Sequence, residues 1–159
     1  NTDSISIEIH HEPEGPEWIG FGRMCIYIQG LVLGDIAENH CSLFHAVERI
    51  YEASLQLDDL WDERFIGHTP EEIFSWLDAI IYSGDIVDCQ DRTERFDFLT
   101  NTGEQFDGFK SFIYCEPTGK VYIPFRNNNG QLFEPSCERT EFRTVAENLR
   151  RWFKNETKK

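Results

Sequence analysis

Only two residues, Gln29-Gly30, separate two apolar, β-branched-rich runs at 21–28 and 31–36. A two-residue connection closes an antiparallel hairpin, whereas a parallel crossover needs about a dozen residues or more. Glycine in the turn supplies a positive φ at little steric cost. The chain therefore contains antiparallel sheet. Upstream, Ile5, Ile7 and Ile9 alternate with polar neighbours over 4–9, the period of a half-buried strand, and Glu12-Pro13-Glu14-Gly15-Pro16 breaks it.

Helical spacing follows. Ser42 precedes Leu43, Phe44, Val47, Ile50, Tyr51 and Leu55, which predicts a first helix with Ser42 as N-cap and those apolar residues on one buried face. Thr69-Pro70-Glu71-Glu72 combines a capping hydroxyl, a proline at the first helical position and a carboxylate three residues after the cap. Ile73, Phe74, Leu77, Ile80 and Ile81 continue this second helix, Ser83-Gly84-Asp85 stops it, and the polar stretch up to Arg95 reads as a surface loop. Strands are expected at 96–99, 109–115, 120–126 and 131–133, separated by Asn- and Gly-bearing turns. A third helix, starting near Ser136 and fraying over 155–159, carries Phe142, Val145, Ala146, Leu149, Trp152 and Phe153 on one stripe. The expected class is α+β, a mainly antiparallel sheet with about three helices packed on it.

The sequence shows no internal repeat, low-complexity segment or flexible linker, so residues 1–159 are read as one domain. With 40% hydrophobic and 28% charged residues, it has ordinary core content. Its 29 acids against 15 bases give a net charge of -14. That balance argues against nucleic acid or an anionic membrane as partner and favours a basic protein. No apolar run reaches the length of a membrane span, and Asn1-Thr2-Asp3-Ser4 has neither a basic nor an apolar leader region. Five cysteines, Cys25, Cys41, Cys89, Cys115 and Cys137, form no C-x-x-C pair and are odd in number. They read as free thiols of a cytoplasmic protein. His40, Cys41 and His45 straddle a helix start at a spacing that does not share a helical face, so no metal site is expected there.

No G-x-S-x-G elbow or phosphate-binding loop is present, and no cofactor is expected. Adjacent carboxylates such as Asp58-Asp59 and Asp62-Glu63 leave a carboxylate-dependent enzyme open as an alternative, with a structural adaptor subunit as another. Charge placement is more informative. Between Asp58 and Asp91 the chain carries ten acids and, apart from histidine, the single base Arg64. Trp61 sits within Asp58-Asp59-Leu60-Trp61-Asp62-Glu63, where an exposed aromatic ringed by carboxylates would anchor a steered basic partner and a buried one would close the core. The candidate binding face is Asp58, Asp59, Trp61, Asp62 and Glu63, extended by Asp85, Asp88 and Asp91. Bases predominate from Arg139 onward and are read as complementing the C-terminal end of the third helix.

Gly22-Arg23-Met24-Cys25-Ile26-Tyr27-Ile28-Gln29-Gly30, Leu33-Gly34-Asp35, Leu60-Trp61-Asp62-Glu63-Arg64-Phe65, and the stretch from Phe98 through Thr102-Gly103-Glu104 to Lys110 supply a further clue. Together they resemble bacterial immunity proteins of polymorphic toxin and contact-dependent growth inhibition systems. The resemblance implies a small cytoplasmic protein, not an enzyme, that neutralises one cognate toxin domain by direct binding. Commonly that toxin is a nuclease. A basic active-site groove filled by an acidic protein is consistent with the charge of this chain.

Overall fold

A computed structural model describes residues 4–83 and 92–158. The predicted hairpin is present: β1 (Ile5–His11), β2 (Phe21–Ile28) and β3 (Leu31–Leu33) lie side by side, all antiparallel. Both turn residues have positive φ, 49° at Gln29 and 79° at Gly30, the geometry whose twist matches that of the flanking strands. β3 stops at Leu33, three residues short of the expected end, because Gly34 turns at φ 104° under the ring of Phe106. Gly22 has a different role. A Cβ there would stand 1.8 Å from the His10 carbonyl oxygen, so only glycine lets β1 and β2 close over this pair.

The first helix, α1 (Phe44–Leu55), has no side-chain cap. Ser42 belongs instead to a two-residue strand, β4 (Cys41–Ser42), whose backbone is held extended opposite Phe21 and Gly22. Phe44 and Leu55, expected on the buried face, are exposed, while Val47 and Ile50 are in the core. The second helix, α2 (Pro70–Tyr82), is capped as its sequence dictates: the Thr69 hydroxyl accepts the Glu72 N–H at 3.2 Å.

The expected strand at 96–99 is instead a 3-10 turn (Thr93–Phe96) followed by one bridge, Asp97 to Phe112. The run 109–115 splits into β5 (Lys110–Ser111) and β6 (Tyr114–Cys115), and 120–126 splits into β7 (Lys120–Tyr122) and β8 (Phe125–Arg126). The division falls where Pro124 offers no N–H and the Ile113 N–H turns to the Phe96 carbonyl at 2.8 Å. β9 (Leu132–Phe133) joins β8, and β10 (Ser136–Glu138) joins β7. The fold is thus α+β with antiparallel pairing, its strands distributed over three small sheets. Because 136–138 is strand, α3 starts at Arg139 and then runs without a break to Thr157.

α3 lies against both α1 and β1. Phe142, Ala146, Leu149 and Phe153 face inward, and Arg150 on the flank pairs with Glu48 of α1 at 3.2 Å and covers the Tyr51 ring. The core is continuous and rich in phenylalanine, with Phe74, Phe96, Phe98, Phe106, Phe112, Phe125 and Phe142 inside it. Burying each such ring contributes about 1.5–3 kcal/mol.

Candidate functional site

The acidic segment leaves the end of α1 as two 3-10 turns, Leu57–Asp59 and Glu63–Phe65. Leu57, Leu60 and Phe65 are buried and fix its course, and the Leu60 carbonyl accepts the Cys115 N–H at 2.7 Å, docking the segment on β6. Between these anchors the acids face outward. Most are not left bare. Asp58 pairs with Arg139 at 2.6 Å, and Asp59 pairs with Arg92 at 2.6 Å while its carbonyl takes the Arg95 Nε at 2.8 Å. Asp62, its side chain only 12% exposed, caps the second turn and receives both Nε and Nη2 of Arg64, which hold its carboxyl below the ordinary range. Arg139 thus works at the start of α3, not at the C-terminal end where the basic run was expected to act. Glu63 is exposed and makes no ion pair among the described residues. Asp85, Asp88 and Asp91 lie outside the described residues.

Trp61 is half-buried. Its ring meets Phe65 edge-on at 5.6 Å and inclines over Tyr114 at 6.5 Å, while its carbonyl takes Arg95 Nη2 at 3.1 Å. It closes part of the core and also forms one wall of a cleft of about 550 Å³. Opposite stand Tyr114 and Tyr122, stacked at 5.2 Å with 21° between their planes. Among the described residues the carboxylates lining the cleft are Glu63, Glu116 and Glu134, and neither lysine nor arginine lines it.

The three carboxylates come from separate segments and meet different surroundings. Glu116 accepts the Thr118 hydroxyl at 3.2 Å. Glu134 has one buried oxygen, Oε2, with no hydrogen-bond partner among the described residues. Burial raises the Glu134 carboxyl to about 7, the Tyr114 hydroxyl opposing this and the Glu116 charge adding to it. Burial and Glu134 together push the Tyr114 phenol upward, and burial and Glu116 do the same to Tyr122. This is an aromatic slot whose carboxylates pair with no lysine or arginine among the described residues, chemistry suited to receiving a positive group.

Reading the sequence for acid density finds Trp61 and Glu63 but misses Tyr114, Glu116, Tyr122 and Glu134. One signal was available. Glu116-Pro117 and Glu134-Pro135 are both Glu-Pro steps, which hold the glutamate in extended backbone at a strand end rather than in a helix.

Comparison with known proteins places this architecture. No curated protein sequence matches the chain. Among solved structures, the crystal structure of CdiI from Burkholderia dolosa AUO158 superposes with a TM-score of 0.61 at 14% identity, covering 91% of this chain and 93% of that one. At that identity the likeness is one of fold. The sequence model for immunity protein 42 matches residues 1–152, nearly the whole chain, and the protein therefore belongs to the immunity protein 42 (Imm42) family.

Proposed function

We propose that this protein neutralises a cognate bacterial toxin domain, a basic nuclease, by forming a stoichiometric complex with it in the cytoplasm. Family membership supports the toxin-neutralising role, and the net charge of -14 is the observation that carries the basic partner. The fold shared with a CdiI protein supports placing the system in contact-dependent growth inhibition or a related polymorphic toxin pathway. The binding face we assign comprises Asp58, Asp59, Trp61, Asp62 and Glu63, with Asp85, Asp88 and Asp91 extending it. Its charges, even where paired at the surface, set the potential that steers association. Neither nucleic acid nor membrane is a partner in this reading, and no helix among the described residues is long and apolar enough to cross a membrane.

A second reading rests on one observation. Glu134, raised to about 7 in a cleft it shares with Glu116, has the profile of a general acid. Family membership favours inhibition without turnover, and the two readings separate on the bench.

The test is purification of the tagged chain from its native host at low salt, with identification of what accompanies it. An equimolar basic protein that kills cells when expressed alone supports the proposal, and its degradation of RNA or DNA supports the nuclease assignment. Recovery of the chain alone while the neighbouring toxin is expressed overturns it. Reversing Asp59, Asp62 and Glu63 to lysine is expected to slow association at low salt, and unchanged association removes this face from the interface.

A further inference from the structure

Three aspartates of the acid-rich segment are paired within the fold, whereas the carboxylates of the cleft beside it, Glu63 of the same segment among them, are not. Asp58, Asp59 and Asp62 are each tied to an arginine of the same chain. In the cleft beside them, Glu63, Glu116 and Glu134 have no such partner among the described residues. An exposed unpaired carboxylate is ordinary, because water solvates it. Glu134 differs: its Oε2 is buried and makes no hydrogen bond among the described residues, and of the groups beside it only the Tyr114 hydroxyl favours its ionised carboxyl. Buried acceptors are satisfied in the great majority of folded proteins, so an orphan on a side chain that lines a cleft points to a donor that the carboxyl turns to meet when a ligand enters.

The surroundings narrow the donor. Trp61, Phe65, Tyr114 and Tyr122 give the cleft flat aromatic walls, with Tyr114 and Tyr122 nearly parallel. Aromatic faces attract cations, and carboxylates accept parallel N–H bonds from a planar fork. A guanidinium satisfies both demands at once, whereas an ammonium is a compact, strongly hydrated point charge. Glutamates contributed by three segments, with His68 the one basic side chain and no lysine or arginine in the lining among the described residues, disfavour an anionic or phosphorylated ligand.

We propose that the cleft walled by Trp61, Tyr114 and Tyr122 is a receptor for one arginine side chain of the toxin, with Glu134 and Glu116 accepting its guanidinium. This deepens the toxin-binding reading and rests on it. It moves the anchor from the acidic segment to the cleft alongside, leaving Asp58, Asp59 and Asp62 to steer the approach. Because Glu134 is raised to about 7 by burial, docking a cation there favours ionised Glu134 and releases a proton. Glu116, Glu63, His68 and the Tyr114 and Tyr122 hydroxyls are the other titratable groups lining the cleft.

The test uses the full chain and needs no toxin. Acetyl-arginine-amide is titrated into 15N-labelled protein to roughly 50 mM, several times the dissociation constant of about 10 mM expected for one weakly held side chain. The Trp61 indole N–H, assigned with Trp61→Phe, is followed. Saturable shifts confined to the cleft are expected, at least fivefold weaker in Glu134→Gln and tightening from pH 6 to pH 8. Acetyl-citrulline-amide, isosteric and uncharged, is expected to leave these signals in place. Equal response to citrulline, equal or tighter binding of acetyl-lysine-amide, or wild-type affinity in both Glu134→Gln and Glu116→Gln overturns the assignment. So does no shift at all. The unperturbed remainder of each variant's spectrum establishes that it is folded. If the probe fails while the toxin still binds, the receptor falls and the immunity reading stands. If the probe binds but no toxin is captured from the host, the cleft stands as a guanidinium site and its assignment to a toxin arginine falls with the toxin-binding reading.

Discussion

The Tyr82 hydroxyl, at the end of α2, donates to Asp97 Oδ2 at 2.6 Å, fastening the helix to the segment that bridges to Phe112. Burial raises Asp97 while Tyr82 counteracts the shift by stabilising the ionised carboxyl. Tyr82→Phe strips a half-buried carboxylate of this donor and is expected to lower stability by about 1–3 kcal/mol in urea titrations at neutral pH. The deficit shrinks as the pH falls through the Asp97 pKa, because the hydroxyl serves the charged form. An equal loss at acid and neutral pH would mean that the hydroxyl serves the neutral and the ionised carboxyl alike.

Two arginine contacts of similar appearance differ sharply in weight. Arg49, 16% exposed, donates Nε to the Asp97 carbonyl at 3.0 Å and Nη2 to the carbonyls of Arg95 and Asp97 at 2.7 Å each. Arg49→Ala orphans two carbonyls and is expected to cost about 2–4 kcal/mol. Asp58→Asn breaks an exposed pair with Arg139 and is expected to cost less than about 1 kcal/mol. Chemical denaturation of both variants checks the contrast.

Gly22→Ala places a methyl group against the His10 carbonyl, backbone that cannot move aside without breaking the β1–β2 ladder. A loss of about 3 kcal/mol or more is expected, with most of the protein recovered insoluble. A melting curve like that of the parent would contradict the packing of this pair.

Glu134 gives stability a pH signature. In the unfolded chain it ionises near its ordinary value of 4.5, and in the fold only near 7, so its ionisation penalises the native state increasingly across that window and fully above it. Glu134→Gln is expected to be more stable than the parent above pH 7, by about 1–2 kcal/mol after allowance for solvent screening, and indistinguishable below about pH 4.5. Thermal melts at pH 4.5 and pH 8 read the difference. A residue that costs stability where it stands is in keeping with a binding role.

Cys25, Cys41, Cys115 and Cys137 are all buried free thiols, and burial lifts Cys137 to about 12. These four are expected to resist Ellman's reagent in the native protein and to react promptly in denaturant. Rapid labelling of any of them under native conditions would indicate local opening.

The hairpin and the capped second helix were legible because each rests on local chemistry: a two-residue turn in one case, Thr69-Pro70 with Glu72 in the other. The strand at Cys41–Ser42 was not, since its two residues are extended by pairing with Phe21 and Gly22, and Ser42 alone looks like a cap. The same limit governs the site. Acid density along the chain points to residues 58–63, but the arginines that neutralise Asp58 and Asp59 stand 81 and 33 residues away. Trp61, Glu116 and Glu134 gather only because β6 packs on the turn that follows α1 and β10 pairs with β7, a relationship that periodicity does not carry.

The seam between β1 and α3 joins residues made at opposite times. Ser4 donates its N–H to Glu141 Oε2 at 3.1 Å across 137 residues of chain. At about 5–20 residues per second on the ribosome, the first strand waits roughly 7–27 seconds for the helix that covers it. A chain interrupted before α3 would leave Ile7 and Ile9 of β1 and the facing side of α1 without the helix that packs on them, apolar surface open to proteolysis.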